Sequence, residues 1–287
     1  MSLLLGGLAI GGVYALIAIG VVLCYRATGV VNFAHGELMM IAAYAYAIVH
    51  DLTGSPTLEI VAAISAGAVG GLICFLLTGV VMRGAAEMSL VIGTLGVLIL
   101  LQSGARHLFT DTPLPSEGWL FGDHNLTLFG VSAPANSLLI LAALVVVAAA
   151  ILYWQYATLF GRAVLAVAED PWRASLAGIR VQSTLAISWL VSGMLAGLAG
   201  MLLGPVIGVF PTMGADVLFP AIVAAILGGF GSVAGAFAGG LIIGLLQTFT
   251  VVFLGGAVKE AVMFGFLLLV LLWRPSGLFT GPVARKF

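Results

Sequence analysis

Nine stretches of this chain, at 3–24, 30–49, 58–82, 88–105, 136–157, 184–207, 217–230, 233–254 and 258–273, are almost uninterrupted in apolar residues. An apolar run of about 20 residues has two stable surroundings, a large protein core or the hydrocarbon of a bilayer. The composition decides between them. Of 287 residues, 62% are hydrophobic and only 7% are charged, whereas a soluble domain carries about a quarter charged residues. Too little polar surface exists to face water. Because hydrocarbon offers no hydrogen bonds, each run must satisfy its own backbone, which predicts helices. The expected fold is an all-α polytopic membrane protein of about nine transmembrane helices, within a range of eight to ten.

Little chain remains for a water-soluble catalytic domain, so any function must sit within the membrane or in short loops. Ten Lys and Arg against eleven Asp and Glu leave no polybasic surface for nucleic acid. The N-terminal residues Met1–Leu5 carry no basic group before the first run, unlike a cleaved signal peptide, so this run is read as a retained span. Cys24 and Cys74 show no paired spacing, and neither a disulfide nor a metal site is implied.

If all nine runs cross and the N-terminus lies outside, Arg26, Arg83, Arg162, Arg173, Arg180, Arg274, Arg285 and Lys286 face the cytoplasm, and only Arg106 and Lys259 face out. This is the asymmetry of the positive-inside rule. The short run 217–230 could instead be re-entrant, but that would put Arg274, Arg285 and Lys286 on the wrong side. The chain is therefore read as one transmembrane domain in six parts: a four-span half at 1–105, an external loop at 106–135, a fifth span at 136–157, a cytoplasmic loop at 158–183, a second four-span half at 184–273 and a cytoplasmic tail at 274–287. The external loop, with Asp111, Glu117, Asp123 and turn residues such as Pro113 and Pro115, could form a lid or docking surface.

The two four-span halves begin on opposite sides, the pattern of an inverted repeat. Both have an irregular second member. The run at 30–49 opens with Asn32, His35, Gly36 and Glu37, and the run at 217–230 is short and holds Pro220. Interrupted segments at matching positions point to a transporter's binding region. Asn32, His35, Glu37, Asp216 and Pro220 are thus the candidates for a path or gate. Two readings of the first group stay open: polar residues deep in the membrane at a functional site, or Asn32 capping a helix at the interface with Glu37 favouring its positive end. Asp216 is expected to cap the seventh span.

Glycines at spacing four, such as Gly7 and Gly11, Gly67 and Gly71, Gly193 and Gly197, and Gly240 and Gly244, are expected to let helices pack closely, and a sliding gate is the alternative. On the cytoplasmic loop, Arg162–Ala168 reads as one short helix. A second is framed by Asp170 as N-cap, Pro171 at the first position and Gly178 past the end. With Trp172, Arg173 and Glu169 it could enter a partner's groove or rest on the bilayer surface. His50, His107 and His124 look isolated. No phosphate-binding loop, metal-ligand cluster or nucleophile-base arrangement is visible, which argues against an enzyme. No ionisable residue sits mid-span in the later runs, which argues against an ion-coupled carrier.

Three segments also look familiar. Gly12–Ala43 (GVYALIAIGVVLCYRATGVVNFAHGELMMIAA), Ala166–Ile179 (AVAEDPWRASLAGI) and Ala224–Gly240 (AAILGGFGSVAGAFAGG), followed by the ending RPSGLF at 274–279, resemble the permeases of branched-chain amino acid ABC transporters over nearly the whole chain. The resemblance implies a type II-like importer fold in a bacterial inner membrane and a non-enzymatic transport subunit. It also implies partnership with two cytoplasmic ATPase subunits, a second permease subunit or a second copy of this one, and an extracytoplasmic solute-binding protein. No cofactor is implied in this chain, since ATP and Mg belong to the ATPases. Arg162, Glu169, Asp170, Pro171, Trp172, Arg173 and Gly178 would then form the coupling loop. The general permease signature has Glu-Ala-Ala with a Gly six residues after the Glu. Here Asp170 and Pro171 follow Glu169 and Gly178 lies nine away, so only the branch-specific pattern matches. Related permeases import urea, short amides and other small solutes, and an ATP-independent facilitator or secondary transporter is the more distant alternative.

Overall fold

The computed structural model describes residues 2–82, 84–109, 112–114, 125–128, 131–275 and 277–279. Arg83, Asp111, Pro115, Glu117, Asp123, His124, Arg285 and Lys286 lie outside these. The helices are α1 (Ser2–Thr28), α2 (His35–Thr53), α3 (Pro56–Phe75, prolonged by a π-helical turn Leu76–Val81), α4 (Glu87–Leu108), α5 (Ala135–Ala157), α6 (Leu159–Glu169), α7 (Pro171–Leu176), α8 (Val181–Ile207), α9 (Met213–Gly228), α10 (Val233–Leu254) and α11 (Lys259–Trp273). A small antiparallel hairpin, β1 (Asn125–Leu128) and β2 (Val131–Pro134), precedes α5 and is the exception to the all-helical expectation among the described residues.

Among the described residues, seven helical segments are long and apolar enough to cross a membrane: α1, α3 with its π-turn, α4, α5, α8, α10, and α11 with the turn before it. The two others expected to span fall short for different reasons. α2 has 19 residues but carries His35, Glu37, His50 and Asp51, and α9 has only 16 residues, about 24 Å at 1.5 Å per residue. Each is preceded by non-helical chain, at 29–34 and 208–212.

The bundle has a buried centre and an outer ring. Val13, Leu16 and Ile17 of α1 are fully buried, as are Ala196 and Ala199 of α8, while Leu100 of α4 and Leu269 and Leu272 of α11 are 69%, 68% and 84% exposed. Leucines so exposed suit hydrocarbon. Several helices pack backbone to backbone, and two of these contacts join the pairs that hold the centre together. α3 lies on α8 where Gly67 and Gly71 meet Gly193 and Gly197; α10 lies on α1 where Gly240 and Gly244 meet Gly11 and Ala15. A Cβ built on Gly11 would sit 2.9 Å from the Gly240 carbonyl oxygen, so only the smallest residue allows this approach. The spacing-four glycines are therefore packing surfaces. The contacts recur in pairs: α1 packs on α10 and α8 on α3, while α9 lies against α1 and α2 against α8.

The ends of α1 and α5, the α6–α7 segment and the turn after α9 share one face, where Tyr25, Tyr156, Glu169 and Phe230 line one cavity. The Leu278 amide joins them by donating to the Leu227 carbonyl at 2.8 Å. Arg26, Arg162, Arg173, Arg180 and Arg274 all sit on or beside this face. The opposite face gathers the end of α4, where Phe109 stacks on Tyr44 at 4.0 Å, and the chain after α8, where the Leu114 amide donates to the Val209 carbonyl at 2.9 Å. His50 is not isolated: its Nδ1 lies 3.0 Å from Oε1 of the buried Glu59, tying the end of α2 to the start of α3.

Candidate functional site

The interrupted helices meet. After α1 ends, Gly29 turns with φ +75°, and 30–34 run back beside α1 so that His35 packs on Gly20. Gly20 lies eight residues before the end of α1, about 12 Å back along the helix. From the other half, α9 begins at Met213, and its Gly214 faces Gly36 so closely that a Cβ on Gly36 would strike the Gly214 carbonyl. Two helix N-termini thus adjoin in the interior. Each brings unsatisfied backbone N–H groups and a partial positive charge.

Polar side chains crowd this point without saturating it. Asn32, His35 and Glu37 are 1%, 0% and 0% exposed. The Asn32 Oδ1 accepts from the Ala34 amide at 3.0 Å, and its Nδ2 has no partner. Ser192 of α8 donates its hydroxyl to the Gly20 carbonyl at 2.8 Å, so its 3.4 Å contact with His35 Nδ1 requires the ring nitrogen to donate. His35 Nε2 and both Glu37 carboxyl oxygens are buried with no hydrogen-bond partner. Thr94 of α4 accepts from the Phe33 amide at 3.4 Å. Most buried polar groups in folded proteins are paired, so several orphans at one locus mark a specialised place.

Two expectations need correcting. Asn32 does not cap α2: the N-cap is Ala34, which makes no side-chain cap bond, because Asn32 lies two residues too early and closes a local turn instead. Nor does Asp216 cap α9, whose N-cap is Thr212; the helix starts earlier than the apolar run suggested and leaves Asp216 in its first turn. Asp216 is exposed. Pro220, four residues on, is buried inside α9 and has no N–H for the Asp216 carbonyl.

On the basic face, the Asp170 carboxylate caps α7 by accepting from the Trp172 and Arg173 amides at 3.0 and 3.1 Å. Pro171 occupies the first turn and Gly178 follows the helix with φ +82°. Arg173 also pairs with Asp170 at 3.1 Å. Trp172 and Leu176 are each 72% exposed, and Arg162 and Glu169 are exposed as well. The framing is as the sequence indicated, with a large ring held outward. Gly20, Ser192 and Gly214 carry no signal along the chain, because their importance depends on which helices meet. No cluster of three metal-ligating side chains occurs among the described residues.

Residues 3–271 match the family model described as branched-chain amino acid transport system / permease component. The chain is 32% identical to the high-affinity branched-chain amino acid transport system permease protein BraD of Pseudomonas aeruginosa, over 99% of this chain and 96% of that protein. It is 33% identical to the permease protein LivH of the same description from Salmonella typhimurium, over 98% and 95%. The ribose import permease protein RbsC of Escherichia coli is 26% identical over 82% and 73%. Among solved structures, PsaBC from Streptococcus pneumoniae in complex with Fab shares the fold with a TM-score of 0.52 at 15% identity, over 94% of this chain and 91% of that one.

Proposed function

The chain belongs to the branched-chain amino acid transport permease family, a family of multi-pass transport subunits and not of enzymes, and on that premise we propose that it is the membrane subunit of an ATP-driven importer of branched-chain amino acids. Its orientation is N-terminus out and C-terminus in, across a bacterial inner membrane, with the shared basic face toward the cytoplasm. The halves at 1–105 and 184–273 form an inverted repeat of four crossings each, with α2 and α9 crossing together with their non-helical lead-ins. The reciprocal packing of α1 on α10 and α8 on α3 supports this reading.

The observation that carries the proposal is the meeting of α2 and α9 at Gly36 and Gly214, with unpartnered buried groups on His35 and Glu37. Half-helix starts and free backbone groups beside a pathway are what alternating access needs. In this conformation the pathway is closed at that point. Asn32, His35 and Glu37 form the gate, and Asp216 and Pro220 line the path beyond it. The orphaned groups gain partners or water when the halves part. A second permease subunit, or a second copy, completes the path. Two ATPases dock on α6 and α7 and supply the ATP and Mg chemistry, and a binding protein delivers substrate from outside.

Replacing His35 and Glu37 singly by Gln keeps size and removes the titratable group. In proteoliposomes holding the assembled importer, leucine uptake should fall at least about tenfold while assembly and binding-protein docking persist. Normal uptake in both variants would remove the gate. Uptake of urea or ribose in preference to leucine by the wild-type importer would replace the substrate class.

A further inference from the structure

Between α9, α10 and α11 lies a cleft of about 380 Å³ whose lining includes Asp216, Phe219, Gln247, Lys259, Glu260 and Phe264. This volume suits a small molecule. Its chemistry is specific. Asp216 and Lys259 make no ion pair with each other or with any other described residue, although opposite charges near a membrane interior usually pair. Gln247 is 6% exposed; its Oε1 accepts from Tyr14 Oη at 2.7 Å, while its Nε2 finds only the Met263 sulfur at 3.2 Å. A thioether is a weak acceptor, so the amide N–H₂ has a strong bond still to make. Pro220 leaves the Asp216 carbonyl without its helical donor. One cleft thus offers an unpaired cation and an amide donor from Lys259 and Gln247, carboxylates on opposite walls from Asp216 and Glu260, and two aromatic rings.

We infer that this cleft is a subsite for a free α-amino acid, holding the α-carboxylate between Lys259 and Gln247, the α-ammonium at Asp216 and an aliphatic side chain against Phe219 and Phe264. The inference rests on the importer reading and names where that substrate is recognised within the permease. A sugar would not call for two opposite unpaired charges, and a lipid phosphate would not call for Asp216.

The test uses the assembled complex in nanodiscs without binding protein, with L-leucine binding followed by saturation-transfer NMR. L-Leucinamide, which lacks the carboxylate, and 4-methylpentanoate, which lacks the ammonium, serve as comparison ligands. Wild type should bind leucine about tenfold more tightly than either analogue. Lys259→Gln should abolish the preference over leucinamide and keep that over 4-methylpentanoate; Asp216→Asn should do the reverse. Asp216 is exposed and Lys259 half-buried, and neither is held in an ion pair, so the fold should tolerate both changes, and the conservative Lys259→Arg and Asp216→Glu should restore the selectivity. No leucine binding by wild type, unchanged selectivity in both variants, or equal loss of all three ligands would each overturn the subsite. Failure of the importer reading looks different: wild type with its binding protein and ATPases would then carry no leucine in proteoliposomes. Leucine carried at normal rates by both variants, with unchanged selectivity, overturns the subsite alone.

Discussion

Trp172→Ala separates the proposed coupling role of α7 from its part in stability. The indole is 72% exposed, so truncating it removes little from the fold, and the helix keeps its frame through Asp170, Pro171 and Gly178. A tryptophan presents about 200 Å². Roughly 140 Å² of it is therefore open here, and covering that area contributes about 3.5 kcal/mol at ~25 cal/mol per Å². Fixing the ring and its neighbours costs about 1 kcal/mol or more. A net of about 2 kcal/mol corresponds to roughly 30-fold weaker docking of the ATPase. Titration of purified ATPase onto nanodisc-embedded permease measures this directly, with a thermal melt of each variant as control. Asp170→Ala should act more mildly, through about 1 kcal/mol lost from the helix frame. Wild-type ATPase affinity and uptake with Trp172→Ala would refute the docking argument and return α7 to the role of a helix lying on the lipid surface.

Further tests address sidedness and packing. Ser175→Cys on α7 should react with an impermeant maleimide only in inverted vesicles and Thr53→Cys at the end of α2 only in intact cells, against low background because Cys24 and Cys74 are buried; labelling of Ser175→Cys from outside would reverse the assigned orientation. Gly67→Val drives a side chain into the α8 backbone at Gly193 and Gly197 and should cost about 1–3 kcal/mol or more, read as a lower melting temperature in detergent. Gly96→Val, on an exposed face of α4 with nothing within 4 Å, should melt like wild type; equal melting of both variants would show that close packing at Gly67 is unimportant.

The general form of this molecule was legible because it follows from one-dimensional signals. Apolar runs define helices in a solvent that offers no hydrogen bonds, and Asp170, Pro171 and Gly178 frame α7 through chemistry confined to neighbouring residues. What was hidden depends on contacts between distant segments. Hydropathy does not mark the start of α9, because Met213 and Gly214 continue the helix before the apolar run at 217 and leave Asp216 in the first turn instead of at the cap. The depth of His35 could not be read from hydropathy, which cannot tell a polar residue at an interface from one carried back beside Gly20 by a non-helical return. The same limit governed Lys259 and Gln247. Along the chain Lys259 is one charge beside an apolar run and Gln247 one amide within another. Their chemistry emerges once α9 brings Asp216 and Pro220 beside α10 and α11, because an unpaired charge acquires meaning from the charge that faces it. In a chain with so few charged residues, it is their juxtaposition across helices that separates a solute path from a lipid surface.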